Sequence, residues 1–78
     1  MKEIYFYTRP QCPLCREAQL TLEMVREEIP FIVHEKNINE SDELTEKYGL
    51  MIPVIEYNGE IIQYGQVDYA TIKLKLQT

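Results

Sequence analysis

The stretch that most constrains this chain is 4-IYFYTRPQCPLCREA-18. A run of aromatic and β-branched residues leads at once into Cys12-Pro13-Leu14-Cys15, and that into a segment with helical periodicity. Ile4-Tyr5-Phe6-Tyr7 is nearly continuously apolar, as expected of a strand covered on both faces. Arg9-Pro10-Gln11 breaks it. Proline suits the first helical position, where a backbone N–H would have no partner anyway, so a helix is predicted from Pro13. Leu14, Ala18, Leu22, Val25 and Ile29 recur as one apolar stripe, with Arg16, Glu23, Arg26 and Glu27 on much of the remaining surface. Pro30 ends it. Both cysteines of the chain thus stand at the mouth of a helix that leaves the end of a buried strand.

Downstream, Phe31-Ile32-Val33 predicts a second strand, fading into polar residues from Glu35 to Asn37. Asn39 or Ser41 can cap a short acidic helix over 40–48, and Gly49 is placed to stop it. Two strand-like runs, 53–57 and 60–64, flank Asn58-Gly59, the strongest short signal for a hairpin. A last helix is predicted over 66–76, with Val67, Ala70 and Leu74 in line and Ile72 and Leu76 widening its apolar face. The order β-α-β-α-β-β-α defines an α/β fold with a four-stranded mixed sheet flanked by helices. The 78 residues leave no room for a second core, so 1–78 reads as one domain.

A formal net charge of −5 argues against a nucleic-acid module and against an anionic membrane surface as partner. Met1-Lys2-Glu3-Ile4 opens no apolar run of signal length, and no run is long enough to span a bilayer, so a cytoplasmic setting is expected. Thiols are kept reduced there, which points to cysteines that are catalytic or metal-binding rather than a staple. The thiolate is the form that attacks a disulfide. Free N–H groups in a first helical turn, the helix dipole, and Arg9 and Arg16 nearby would all favour a thiolate at Cys12. Cys15, about one turn on, would face it and be less exposed. That pairs an attacking thiol with a resolving one. The alternative is a non-catalytic redox-sensing or zinc-binding module. A tetrahedral zinc site needs four ligands, and Cys12, Cys15 and His34 supply three, so only a metal shared in a dimer would complete it. Otherwise His34 is a surface or strand-end residue without a role. Tyr7 stands where it could reach the rim of the site.

These features resemble the thioredoxin superfamily, most closely the glutaredoxins and the small bacterial glutaredoxin-like proteins. The resemblance covers nearly the whole chain. It rests on 5-YFYTRPQCPLC-15, 51-MIPVI-55, 58-NG-59 and the closing helix. It implies a thioredoxin-like (glutaredoxin-type) fold and a thiol–disulfide oxidoreductase that reduces protein or mixed disulfides through Cys12 and Cys15. No bound cofactor or metal is implied; glutathione or a dithiol reductase would donate electrons, and the protein is expected to act as a monomer. Arg9 matches the basic residue that glutaredoxins carry three before the first cysteine, and Leu14 replaces their usual aromatic. The resemblance further implies a cis Ile52-Pro53 bond, with the backbone of Ile52 offered to an extended substrate. Arg9, Pro13, Ile52 and Pro53 are the substrate-binding residues expected on this basis. Two departures stand out. Met51-Ile52 replaces the family's Thr-Val, and 63-QYGQVD-68 replaces a Gly-Gly-x-Asp turn that cradles glutathione, keeping Gly65 and a loosely placed Asp68. Weak binding of glutathione is therefore expected.

Overall fold

The computed structural model describes residues 1–77. Its elements are β1 (Lys2–Thr8), α1 (Pro13–Arg26), β2 (Phe31–Asn37), α2 (Asp42–Tyr48), β3 (Val54–Tyr57), β4 (Glu60–Tyr64) and α3 (Tyr69–Gln77). A single 3-10 turn, Ile38–Glu40, links β2 to α2. The strands lie in the order β2-β1-β3-β4. β1 runs parallel to β2, from Lys2 beside Phe31 to Thr8 beside Asn37. On its other side it pairs antiparallel with β3, from Ile4 beside Tyr57 to Tyr7 beside Val54. β3 and β4 form the expected hairpin. Asn58 (φ 54°) and Gly59 (φ 79°) both take the left-handed conformation that a two-residue turn of this kind requires.

Side-chain alternation along the strands divides the core. Ile4 and Phe6 of β1, Phe31 of β2 and Ile55 of β3 face one way, against Ala18, Leu22 and Val25 of α1 and Ile72 and Leu76 of α3. Val54 faces the other way, against Tyr48 of α2 and Ile38, with Tyr7 packed alongside. The sheet is therefore sandwiched between α1 with α3 and α2. Its interior strand β1 leads into α1, which fixes the cysteines at one end of the sheet.

Three local expectations are corrected. β2 does not fade at Glu35, because the parallel register with β1 holds it as strand through Asn37. Leu14 is off the buried stripe, 42% exposed, and Cys15 takes its place at 3%. With the helix starting at Pro13, the inward row is Cys15, Ala18, Leu22 and Val25. The last helix starts at Tyr69 rather than at 66, because the Asp68 carboxylate accepts the N–H of Thr71 at 2.8 Å and caps it. Val67 then precedes the helix, Ile72 and Leu76 are its buried residues, and Leu74 is 63% exposed. Gly49 ends α2 as expected, and does so in right-handed conformation (φ −55°). Glycine is needed there for space: a Cβ would run into the carbonyl oxygen of Thr45.

Candidate functional site

Cys12 is the N-cap of α1, with extended backbone (φ −121°, ψ 101°), and its sulfur accepts the N–H of Cys15 at 3.2 Å. Proline at the next position leaves the first turn pre-shaped without claiming that donor. A helix start exposes N–H groups that have no partner within the helix. Here one of them is aimed at a sulfur. Cys12 and Cys15 are joined as a disulfide, with Cα atoms 5.2 Å apart. Cys12 is half-buried, whereas Cys15 is held in the core by α1 and the sheet. An incoming group therefore meets Cys12 first.

The surroundings favour negative charge on that sulfur. The first turn of α1 carries no acidic residue. Arg9 and Arg16 line the same cavity as the pair, and among the described residues neither guanidinium group makes a hydrogen bond or ion pair. Gln11, just before Cys12, adopts φ 58°. That left-handed conformation costs a non-glycine residue about 1–2 kcal/mol. No glycine marks the position in the sequence, so the strain beside the cysteines was not legible there.

A groove of about 710 Å³ opens beside the disulfide. Cys12, Cys15, Arg9, Pro13 and Arg16 line it together with Gln19 of α1 and Glu35 and Asn37 of β2. It thus gathers four of the six expected site residues. Gln19 and Glu35 were not singled out from sequence. Gln19 lies one helical turn beyond Cys15 and Arg16, and Glu35 pairs in register with Phe6, so the signals were spacing and strand alternation.

Ile52 and Pro53 lie outside this groove. The Ile52-Pro53 bond is cis, as the resemblance implied. Pro53 is buried, and Ile52 packs, with Cys12, against the core under α1. The N–H of Ile52 is taken by the Tyr48 carbonyl at 3.1 Å, so its carbonyl is what it can offer a chain alongside. The Gly65 N–H bonds to the carbonyls of Met51 (3.0 Å) and Pro53 (2.8 Å), tying the end of β4 to this loop. Nearby, the Gln63 amide donates to the Asp68 carboxylate (2.9 Å) and its oxygen accepts the Asp68 N–H (3.0 Å). Bonds from Gln63 and from Thr71 hold the Asp68 carboxyl below the usual carboxylate range. Asp68 is thus a helix cap already engaged within the turn.

Tyr7 does not reach the groove. It stacks on Tyr48 with ring centroids 4.3 Å apart, on the α2 side of the sheet. Burial first, then the Glu56 carboxylate, pushes its pKa up to about 12. Tyr48, which donates to Glu56 at 3.0 Å, is raised as well, chiefly by burial. His34 pairs with Glu3 at 2.7 Å and stacks on Tyr5, so its ring is engaged on the opposite face of the sheet from Phe6 and the cysteines. Among the described residues no helix is long and apolar enough to cross a membrane.

A four-stranded mixed sheet with three helices, and a cysteine pair opening the first of them, define a redox protein of the thioredoxin superfamily. Comparison with known proteins agrees. The family described as "Glutaredoxin-like domain (DUF836)" matches residues 3–77, and the chain belongs to it. A curated relative, "Thioredoxin" from Methanocaldococcus jannaschii, is 36% identical over 62 residues, covering 76% of this chain and 73% of the relative. Among solved structures, target protein XcR50 from X. campestris superposes with a TM-score of 0.80 at 25% identity, covering 95% of each chain. A mutant thioredoxin from Halobacterium salinarum NRC-1 superposes at 0.70 with 20% identity, over 97% of this chain and 72% of that one.

Proposed function

We propose that the protein is a dithiol–disulfide oxidoreductase acting on disulfide-containing proteins or mixed disulfides. The observation that carries this reading is the unequal pair at the helix mouth: Cys12 reachable and hydrogen-bonded by the Cys15 N–H, Cys15 buried behind it. In the reduced protein, the Cys12 thiolate attacks one sulfur of a substrate disulfide. The other substrate sulfur leaves as a thiolate and is protonated. Cys15 then gives up its proton and attacks the Cys12 sulfur, and the second substrate thiol departs. Two electrons pass from the protein dithiol to the substrate, leaving Cys12 joined to Cys15. An external thiol donor returns them.

The donor reading follows from the turn at 63–68. A glycine pair there would let a ligand approach the backbone closely. This chain places Gln63 and Tyr64 instead, and Gln63 and Asp68 bond to each other. These features support weak glutathione binding and a dithiol carrier as donor. The test is reduction of a protein disulfide such as insulin, driven in turn by glutathione with its reductase and by a thioredoxin reductase. Wild-type protein is expected to sustain reduction and Cys12→Ser to abolish it; equal rates for the two would sink the reading. Saturation at low glutathione, lost in Arg9→Ala, would overturn the donor assignment alone.

A further inference from the structure

A second cavity, of about 180 Å³, continues the groove away from the cysteines. The two share Phe6, Gln19 and Glu35, so one trough runs between α1 and β2 from the disulfide to Arg26. Among the described residues no strand lies outside β2 in the sheet, which leaves the trough open along its outer side. The helix supplies its floor in order: Cys12, Cys15, Arg16, Gln19, Glu23 and Arg26 recur at helical spacing and share one side of α1.

The chain has three arginines, and all three line this trough: Arg9 and Arg16 at the cysteine end, Arg26 at the far end. Among the described residues none of their guanidinium groups makes a hydrogen bond or ion pair. In a chain of net charge −5 this concentrates unpaired positive groups on one surface. Guanidinium suits bidentate pairing with carboxylates better than any other side chain. Glu23 and Glu35 also face the trough, between its two ends. The charge pattern is therefore positive, then polar and acidic, then positive.

Length decides what can read that pattern. At the ~1.5 Å rise of an α-helix, Cys12 and Arg26 lie about 21 Å apart along the axis. A tripeptide thiol bound at Cys12 extends at most ~10 Å and stops short of Arg26. An extended segment of about six or seven residues spans the distance.

We propose that this trough seats an extended acidic polypeptide segment of the disulfide substrate, with one carboxylate beside the reacting cysteine held by Arg9 and Arg16. A second carboxylate, about six or seven residues along, is held by Arg26, and the intervening residues are uncharged opposite Glu23 and Glu35. The substrate class rests on the oxidoreductase reading; the binding itself does not.

Fluorescence anisotropy with labelled peptides tests it on the oxidised full chain. One peptide carries serine in place of the reacting cysteine, aspartate next to it and aspartate about seven residues on; the other carries asparagine at both acidic positions. The acidic peptide is expected to bind about tenfold tighter or more, with the advantage shrinking as salt rises from about 0.05 M to about 0.5 M. Arg26→Gln is expected to remove most of that advantage. Lys36→Gln removes an equal charge from β2 outside the trough and is expected to leave it in place. Equal binding of the two peptides, or equal effects of the two substitutions, overturns the proposal. Turnover of bis(2-hydroxyethyl) disulfide by the wild type is measured in parallel. If it is absent while the peptide preference holds, the reaction is wrong and the trough stands; if it is present and the preference fails, the reverse is true.

Discussion

Cys12 and Cys15 are separated by less than one turn of helix, yet one is reachable and the other is 3% exposed. The Cys15 N–H bonded to the Cys12 sulfur adds a second inequality, because it stabilises charge on one of them only. On reduction, Cys12 is expected to alkylate about tenfold faster or more, the factor that about 1.4 kcal/mol of selective thiolate stabilisation supplies. Mass mapping after brief exposure to iodoacetamide measures it, and first labelling at Cys15 would reverse the roles. Cys15→Ser is expected to accumulate mixed disulfides that the wild type clears. This part of the site was legible because its determinants are local: two cysteines, a proline and a helix start, all within a few residues. What was not legible depends on the folded chain. The left-handed Gln11 has no glycine to announce it, and the Ile52 N–H is spent on Tyr48 through a loop closure that no motif encodes.

The elements begin where a side chain caps them. The Ser41 hydroxyl accepts the N–H of Leu44 at 3.2 Å and opens α2, with Asp42 and Glu43 in the first turn to complement the dipole. Replacing Ser41 with alanine is expected to cost about 1 kcal/mol. For a chain of this size that lowers the thermal midpoint by about 4–8 °C, and Ser41→Asp should restore most of it. Melting followed by circular dichroism reads both. At the start of α3 the cap is charged. The bonds that Gln63 and Thr71 make to Asp68 lower its pKa, so its contribution to stability is present above the unfolded value of 3.8 and lost as pH falls through the lower folded value. Asp68→Asn should flatten stability in that acid window, and an unchanged slope would show that the cap's charge is not what matters. Ser41 was readable as a cap from sequence and the Asn58-Gly59 turn as a hairpin, because each satisfies a backbone demand within a few residues. The end of β2 and the start of α3 were misplaced, since parallel pairing with β1 and the Gln63–Asp68 contact override local propensity.

At the scale of the molecule, two clusters on opposite faces of one sheet carry the fold, and the smaller holds a titrating pair. Tyr7 rises from 10.0 to about 12 through burial and the Glu56 carboxylate. The folded state therefore binds the phenolic proton more tightly than the unfolded chain. The resulting stability is complete below pH 10.0 and lost as pH climbs toward about 12. Denaturant midpoints across that interval are expected to fall, and Tyr7→Phe to fall less. Parallel curves for the two proteins would remove Tyr7 as the cause. The β-α-β-α-β-β-α order and the sandwiching of the sheet were legible from periodicity, because each face buries side chains at every second position. The trough was not. It is made where α1 leaves β2 uncovered, and its lining comes from segments far apart in the chain.

The central place of β1 has a consequence for how each copy is made. Its parallel partner β2 ends at Asn37, but β3 on its other side begins only at Val54. At the usual pace of synthesis, about 5–20 residues per second, roughly two to nine seconds pass between Thr8 and Val54. Cys12 and Cys15, being neighbours, are both added early in that interval, before the bed that shelters Cys15 can close. Each nascent chain is thus a dithiol open on all sides before it becomes a discriminating one. Pulse-labelling of stalled ribosome-bound chains should find Cys15 reactive while β3 is still unmade, and shielded once β3 and β4 have emerged.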